Sequence, residues 1–189
     1  MKKGLSLLIP IIAVVLIIGG YFVSTYNRLV KANEEVDVMW AQVESQYQRR
    51  FDLIENLVES VKGAMAQETE VFSKIAEART RYSSAGTTDE KAQAVNGVES
   101  SLSRLLVIME NYPELNSLDT VKTLMSQIEG TENRIAVERQ RYNDQVKVFN
   151  SDIKTVPTKW FASMFGMKER AYYESAEGAE NAPKIDFPD

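Results

Sequence analysis

The 189-residue sequence contains no cysteine and no histidine. Without thiolates or imidazoles it cannot form disulfides, a conventional zinc site, a Cys or Ser-His nucleophile, or the Glu-x-x-His di-iron site of helical bundles. A conventional metalloenzyme or triad hydrolase is therefore excluded, and we expect no cofactor and no metal. The net charge is −5, and the chain after Lys2 and Lys3 is more acidic still, so nucleic acid is not an expected partner.

What the sequence does contain is one long apolar run near its N-terminus. No charged residue lies between Lys3 and Arg28, and residues 5–23 include thirteen Leu, Ile, Val or Phe. At roughly 0.3–0.6 kcal/mol per residue, membrane insertion gains about 4–8 kcal/mol. A cleaved signal peptide is the alternative, but the run is long, no Ala-x-Ala precedes a cleavage point, and no cysteine is available for a lipoprotein site. We predict a basic stub over residues 1–4 and an uncleaved transmembrane helix over residues 5–25.

The basic residues that flank this run bear on its orientation. Lys2 and Lys3 precede it, and Arg28 and Lys31 follow it. The positive-inside rule then favours, by a small margin, an N-terminus inside the cell and the rest of the chain in the periplasm or outside. We therefore expect a single-pass protein of the cell membrane. The absence of cysteine suits either compartment.

Beyond the membrane run, apolar residues recur at helical spacing. The first stretch alternates steps of three and four and skips only one turn, at Arg50: Val36, Trp40, Val43, Tyr47, Ile54, Leu57 and Val61. This stripe predicts a helix that continues the membrane span and ends near Gly63. A second helix is predicted over residues 68–82, followed by a loop over residues 83–87.

Two further helices complete the predicted fold. Thr87 and Glu90 have the spacing of a capping box, which predicts a third helix that ends before Pro113. Asn116 or Ser117 is expected to cap a fourth helix of about 40 residues that ends at Pro157. Its apolar residues recur every seven positions: Val121, Ile128, Ile135, Tyr142 and Phe149. With no strand candidate, the chain is predicted to be all-α, an antiparallel four-helix bundle over residues 26–157 with long first and fourth helices.

An amphipathic C-terminal helix is predicted over residues 158–174. An up-down-up-down path returns the end of the fourth helix to the membrane, so this segment supplies candidate membrane-interface residues. They are Lys159, Trp160, Phe161, Met164, Phe165 and Lys168. The alternative is a helix that covers apolar surface left by the short second and third helices. Residues 175–189 are small and acidic and are predicted to form a flexible tail.

Arg50 is the main polar interruption of the apolar stripes. A charge buried in a bundle core needs a partner, and we predict that Arg49 or Arg50 pairs with Glu132 or Glu138. In the alternative, the arginine stem covers the core and its head group stays in water. If the pair forms, its expected role is helix register rather than catalysis.

Only one short motif suggests a reaction. Ser151 and Lys154 have the Ser-x-x-Lys spacing in which a lysine activates a serine. The lysine is equally explained as a favourable charge at a helix C-terminus, and the companion motifs of such enzymes are absent. A hydrolase therefore remains an alternative that rests on these two residues alone.

Several motifs resemble the LemA family of bacterial membrane proteins. The first half contains Tyr-Asn-Arg-Leu-Val, Trp-Ala-Gln-Val and Gln-Arg-Arg-Phe-Asp-Leu-Ile-Glu-Asn-Leu-Val, beginning at residues 26, 40 and 48. The second half contains Glu-Asn-Tyr-Pro-Glu-Leu, Glu-Gly-Thr-Glu-Asn-Arg-Ile-Ala and Arg-Tyr-Asn, beginning at residues 110, 129 and 141. The resemblance covers about residues 20–187. It implies an N-terminal membrane helix followed by a helical bundle, and it brings no established catalytic residue.

The sequence departs from the family pattern at one position, and the shared motifs indicate candidate contacts between helices. Relatives usually have proline where this chain has Glu55, so we expect a straighter first helix here. The motif positions and the predicted ion pair together supply ten candidate interhelix polar contacts. They are Arg49, Arg50, Asp52, Asn56, Glu132, Asn133, Arg134, Glu138, Tyr142 and Asn143.

Taken together, these features predict a single-pass, membrane-anchored helical bundle with a binding or scaffold role at the bacterial envelope and no catalytic activity. Its expected partners are the lipid bilayer and a protein of unknown identity. A homo-oligomer is another candidate. Where the long first and fourth helices extend beyond the short second and third helices, their apolar stripes would be uncovered and could pack against a second copy. One alternative, implied by the resemblance, is an adaptor or regulator of a membrane partner such as a protease.

Overall fold

The computed structural model describes residues 2–173, with side chains from residue 10 onward except that of Asp89. Within this range the chain is helical with short connections and has no strand, which confirms the all-α prediction. The helices are α1 Lys2–Val61, α2 Thr69–Ser84, α3 Thr88–Met109, α4 Pro113–Ser117, α5 Asp119–Lys154 and α6 Thr158–Met164. The tail predicted over residues 175–189 lies outside the described residues.

Helix α1 changes character along its 60 residues. Between Ile11 and Ile18 its large apolar side chains are all more than half exposed, up to 71% at Ile17. From Leu29 onward the apolar residues at helical spacing are buried instead. The early part of α1 is therefore long and apolar enough to cross a membrane and has few protein neighbours, as expected of a helix in contact with lipid.

The described residues divide into two compact units. The first unit comprises residues 2–42 and 140–172, and the second comprises residues 43–139 and Tyr173. In the first unit, buried residues of α1, α5 and α6 form the core: Leu29, Val36, Tyr142, Val146, Phe149, Ile153 and Ala162.

The second unit contains the end of α1, α2 to α4, and the beginning of α5. Its core combines residues from each of the long segments: Phe51, Ile54 and Leu57 of α1, Val71, Ile75 and Tyr82 of α2, Val95, Val98 and Leu105 of α3, and Val121, Ile128 and Ile135 of α5. The apolar periodicity of the sequence therefore identified most of the buried positions correctly.

Three helix boundaries differ from the prediction. Pro113 ends the run before it but also starts the short helix α4, because proline is favoured at the first helical position. Neither Asn116 nor Ser117 caps the next helix, since Asn116 lies within α4 and Ser117 is its last residue, and α5 begins at Asp119 and spans 36 residues. The C-terminal helix predicted over residues 158–174 is helical only to Met164.

The early end of α6 has a local cause. Gly166 adopts a positive φ of 66°, a conformation that ends helices, and the following amide of Met167 donates to the Ala162 carbonyl at 3.0 Å. Residues 167–173 then continue without helical structure.

The predicted capping box at the start of α3 is present. Thr87 Oγ1 accepts a hydrogen bond from the Glu90 amide at 3.2 Å, and Glu90 Oε2 accepts from the Thr87 amide at 3.1 Å. Hydrogen bonds from the backbone amides of Gly86, which has the largest effect, and of Thr87 hold the pKa of Glu90 below its ordinary value. These bonds satisfy amides that would otherwise lack partners at the helix start.

We expect Thr87→Ala to lower the free energy of unfolding by about 1 kcal/mol, because the cap acceptor is lost. Denaturant unfolding of the full chain in detergent measures this change. Ser103→Ala, at an exposed position on the same helix, is the control. Equal effects of the two substitutions would contradict a stabilising role for the cap.

Candidate functional site

The guanidinium of Arg50 forms a buried polar centre in the second unit. The Arg50 side chain is only 5% exposed; its Nη2 lies 2.6 Å from Glu99 Oε2 of α3, and its Nη1 lies 2.8 Å from Glu132 Oε2 of α5. Nη1 also donates to Thr131 Oγ1 at 3.2 Å and to the Ile128 carbonyl at 3.3 Å. One side chain thus joins three helices.

Sequence reasoning found part of this centre and missed part of it. The predicted partner Glu132 is in place, and Glu99 was not considered. Glu99 directly follows the buried Val98 in the sequence and has no spacing signal of its own. Only the packing of α3 against α1 brings its carboxylate to Arg50.

The burial of Glu99 leaves an electrostatic signature. Burial raises the pKa of this carboxyl above its ordinary value, although the Arg50 charge opposes the rise. The folded protein therefore binds a proton at Glu99 more readily than the unfolded chain does. The stability contributed by Glu99 is fully present at low pH and is lost as the pH rises through its folded-state pKa.

We expect Glu99→Gln to remove this pH dependence. The free energy of unfolding of the wild type, relative to the variant, should fall as the pH rises from about 4.3, the ordinary glutamate pKa, towards neutrality. Denaturant unfolding across that interval measures the difference. Glu129→Gln makes the same charge change at an exposed position on α5 and serves as the control. A wild-type advantage that grows with pH would contradict this assignment.

A second polar centre in the same unit surrounds Tyr47. Its side chain is 1% exposed, and its hydroxyl lies 2.9 Å from the hydroxyl of Tyr173 and accepts a hydrogen bond from Arg139 Nε at 2.8 Å. The Arg139 guanidinium lies 4.5 Å from the centre of the Tyr173 ring. Burial raises the pKa of the Tyr47 hydroxyl well above its ordinary value, so it remains a neutral hydrogen-bonding group. The cation–π contact between Arg139 and Tyr173, together with the contact between the two tyrosine hydroxyls, holds the end of the described chain against α1 and α5.

In the first unit, polar side chains of α5 bind the non-helical segment after α6. The buried Tyr142 hydroxyl donates to the Ala171 carbonyl at 2.9 Å. Asn150 Nδ2 donates to the Arg170 carbonyl, and Asn150 Oδ1 accepts from the Arg170 amide, both at 2.9 Å. Arg170 also pairs with Asp37 of α1. These bonds satisfy backbone groups that a helix would otherwise satisfy, which explains why the segment is ordered without being helical.

The remaining candidate interhelix residues are more dispersed. Asp52 Oδ1 lies 3.6 Å from Arg79 Nη2 of α2. Glu138 and Asn143 are half-buried. Six of the ten lie at exposed positions: Arg49, Asp52, Asn56, Glu132, Asn133 and Arg134. The structure therefore brings Arg50 and Glu132 together in the second unit, and Tyr142 and Asn143 belong to the first unit.

Five rings of α1 and the C-terminal region pack against one another in the first unit, and we call them the aromatic cluster: Tyr21, Phe22, Tyr26, Phe161 and Phe165. Their ring centres lie between 4.7 and 5.8 Å apart in four edge-to-face contacts. The other candidate membrane-interface residues, Lys159, Trp160, Met164 and Lys168, are exposed.

The hydrolase alternative rested on Ser151 and Lys154, and the structure does not show these two side chains in contact. The Lys154 ammonium lies 2.7 Å from Glu169 Oε2, and no hydrogen bond joins Lys154 to Ser151 in the described part of the chain. Among those residues there is also no cluster of three or more acidic side chains that could hold a metal ion.

A groove of about 490 Å³ lies between α1 and α2 in the second unit. Half-buried Val58 and Phe72 contribute apolar surface to it, and both positive and negative side chains line it. An ion pair between Arg79 and Glu55 spans the two helices here. Glu55, the residue at which the sequence departs from the pattern expected of the family, thus contributes to helix packing.

Comparison with known proteins gives a consistent assignment. The pattern of the LemA family matches residues 39–187. Magnetosome proteins MamQ 1 and MamQ 2 of Paramagnetospirillum magneticum are each 27% identical over 175 residues, and MamQ of Magnetospirillum gryphiswaldense is 26% identical over 174 residues. These alignments cover 78–79% of the chain and 64% of each relative, so the chain spans less than two thirds of their length. Together with the apolar part of α1, the similarities support a membrane protein.

Proposed function

The chain belongs to the LemA family, and from that premise and the geometry above we propose that it is a single-pass, membrane-anchored helical protein with a binding or scaffold role at the bacterial envelope. The observation that carries this proposal is the exposed apolar surface of α1 between Ile11 and Ile18. The later turns of the same helix bury their apolar residues against protein, whereas this stretch lacks such a cover. Lipid is the environment in which that surface is favourable.

We propose that the long segments of the second unit form an antiparallel four-helix bundle. The contacts between α1 and α5 support this arrangement, because Tyr47 contacts Arg139 and the later residue Arg50 contacts the earlier residue Glu132. The two helices are therefore antiparallel here. The same holds for α1 and α2, where Phe51 packs on Tyr82 and Glu55 pairs with Arg79. We further propose that the N-terminus lies inside the cell and the chain beyond the membrane span lies outside it, in line with the lysine pair at the N-terminus.

The contact role is supported by the groove between α1 and α2. Its apolar surface, at Val58 and Phe72, and its charged rim of both signs suit a protein segment with an apolar face better than a nucleic acid or a highly charged ligand. A partner protein is therefore the proposed occupant, and a second copy of the chain is the other candidate.

Photo-crosslinking in intact cells tests this role. A photoreactive residue replaces Val58 in the groove, and the matched control carries it at Arg134, an exposed position on α5. We expect a discrete crosslinked species from the groove position and none from the control. A species of twice the chain mass would identify a homo-oligomer. The absence of a discrete species, or identical products from both positions, would contradict the contact role of the groove.

A further inference from the structure

We propose that α6 and the aromatic cluster bind the bilayer at headgroup depth, so that the protein contacts lipid through a second element besides the α1 span. This inference rests on the proposed function, because it requires that α1 cross the membrane. Its occupant is the lipid interface itself, not a second protein.

Helix α6 has two distinct faces. Phe161 and Phe165 lie one turn apart and pack against the rings of α1. Trp160 and Met164, also one turn apart, are 64% and 66% exposed. Val156, which precedes the helix, is 64% exposed as well. The helix therefore presents a short apolar stripe away from the protein, which is the pattern of an interfacial helix.

The position of α6 along α1 determines its depth. Its rings contact Tyr21, Phe22 and Tyr26, and its first residue, Thr158, accepts a hydrogen bond from Arg28 Nη2 at 3.1 Å. At 1.5 Å per residue, these contacts span about 10 Å of α1. This interval lies where the exposed apolar surface ends and the first charged residue after it appears. Tyrosine, tryptophan and phenylalanine rings at such a boundary match an aromatic belt.

The flanking charges agree with this depth. Lys159 and Lys168 are exposed on either side of the stripe, and long lysine side chains extend to lipid phosphates from residues near the interface. Arg28 is held by Asp152 at 3.4 Å as well as by Thr158. Asp152 therefore pairs with Arg28 and not with either lysine. Lys159 and Lys168 can extend towards lipid phosphate. The exposed apolar surface of α6 lies beside the end of the exposed apolar part of α1. One lipid layer could cover both surfaces, which favours lipid over a separate protein partner.

The two tryptophans of the chain allow a matched test. Trp40→Phe leaves Trp160 as the only tryptophan, and Trp160→Phe leaves Trp40, which lies about 20 Å farther along α1 than the end of the predicted span. Both full-length variants are reconstituted into vesicles of phosphatidylcholine and phosphatidylglycerol in which part of the lipid is brominated near the headgroup. We expect fluorescence from Trp160 to be quenched about twofold or more, and fluorescence from Trp40 to change little.

The controls separate this inference from the function on which it rests. If the full chain floats with the vesicles after carbonate treatment but Trp160 is not quenched, the interfacial role of α6 is overturned and the membrane anchor stands. If the chain does not float, the anchor itself fails. Equal quenching of Trp40 and Trp160 would also overturn the assignment of α6 to the interface. Circular dichroism of both variants confirms that they retain their helices.

Discussion

Arg50→Met should lower the free energy of unfolding by about 2–3 kcal/mol, at or just below the range of about 3–5 kcal/mol for breaking a buried ion pair. Arg50 is almost fully buried, whereas its partners Glu99 and Glu132 are 35% and 58% exposed. The partial exposure lets water solvate the carboxylates after the change, which reduces the cost. The remaining cost comes from Glu99, whose burial already raises its pKa even with Arg50 present.

Arg49→Met is the matched control, since it makes the same charge change at the adjacent, exposed position. Thermal or denaturant unfolding of the two full-length variants in detergent measures the difference. Adding Glu99→Gln to Arg50→Met should recover part of the lost stability, because an amide is less costly to leave without the arginine than a carboxylate is. If Arg50→Met were no more destabilising than Arg49→Met, the arginine would merely cover the core with its head group in water.

The second large effect is expected in the membrane segment. Leu16→Asp combined with Ile17→Asp should raise the free energy of insertion by about 6–8 kcal/mol, counting the cost of two aspartates and the loss of two apolar side chains. That change is comparable to the whole insertion gain of about 4–8 kcal/mol predicted from the sequence. The protein should then leave the membrane fraction on carbonate extraction.

Val38→Asp combined with Val148→Asp is the control for this substitution. These valines are 53% and 54% exposed, in parts of α1 and α5 that lie beyond the predicted span. This variant should remain in the membrane fraction. Loss of both double variants from the membrane would point to a general failure of folding, and retention of both would exclude α1 as the anchor.

Local and periodic features of the fold were readable from the sequence. The apolar stripe of α1, the capping box of α3 and the interruption of the stripe at Arg50 each depend on residues close in sequence. For these features the spacing itself has a direct physical meaning, because residues three and four apart share a helix face.

Features set by distant contacts were missed. The Glu99 partner of Arg50 and the contact among Tyr47, Arg139 and Tyr173 join residues far apart in the chain, and no local pattern marks them. The non-helical segment that follows α6 was missed for the same reason, since Tyr142 and Asn150 of α5 bind its backbone. Helix α4 was missed because Pro113 was interpreted only as a stop, although proline also starts helices.

The most direct test of the central claim is the membrane topology of the full chain. Two reporters are fused after Asp189 in parallel, one that is active only outside the cytoplasm and one that is active only inside it. We expect an integral membrane protein in which only the external reporter is active. Activity of the internal reporter alone would reverse the proposed orientation, and recovery of the fusion in the soluble fraction would contradict the membrane-anchored protein proposed here.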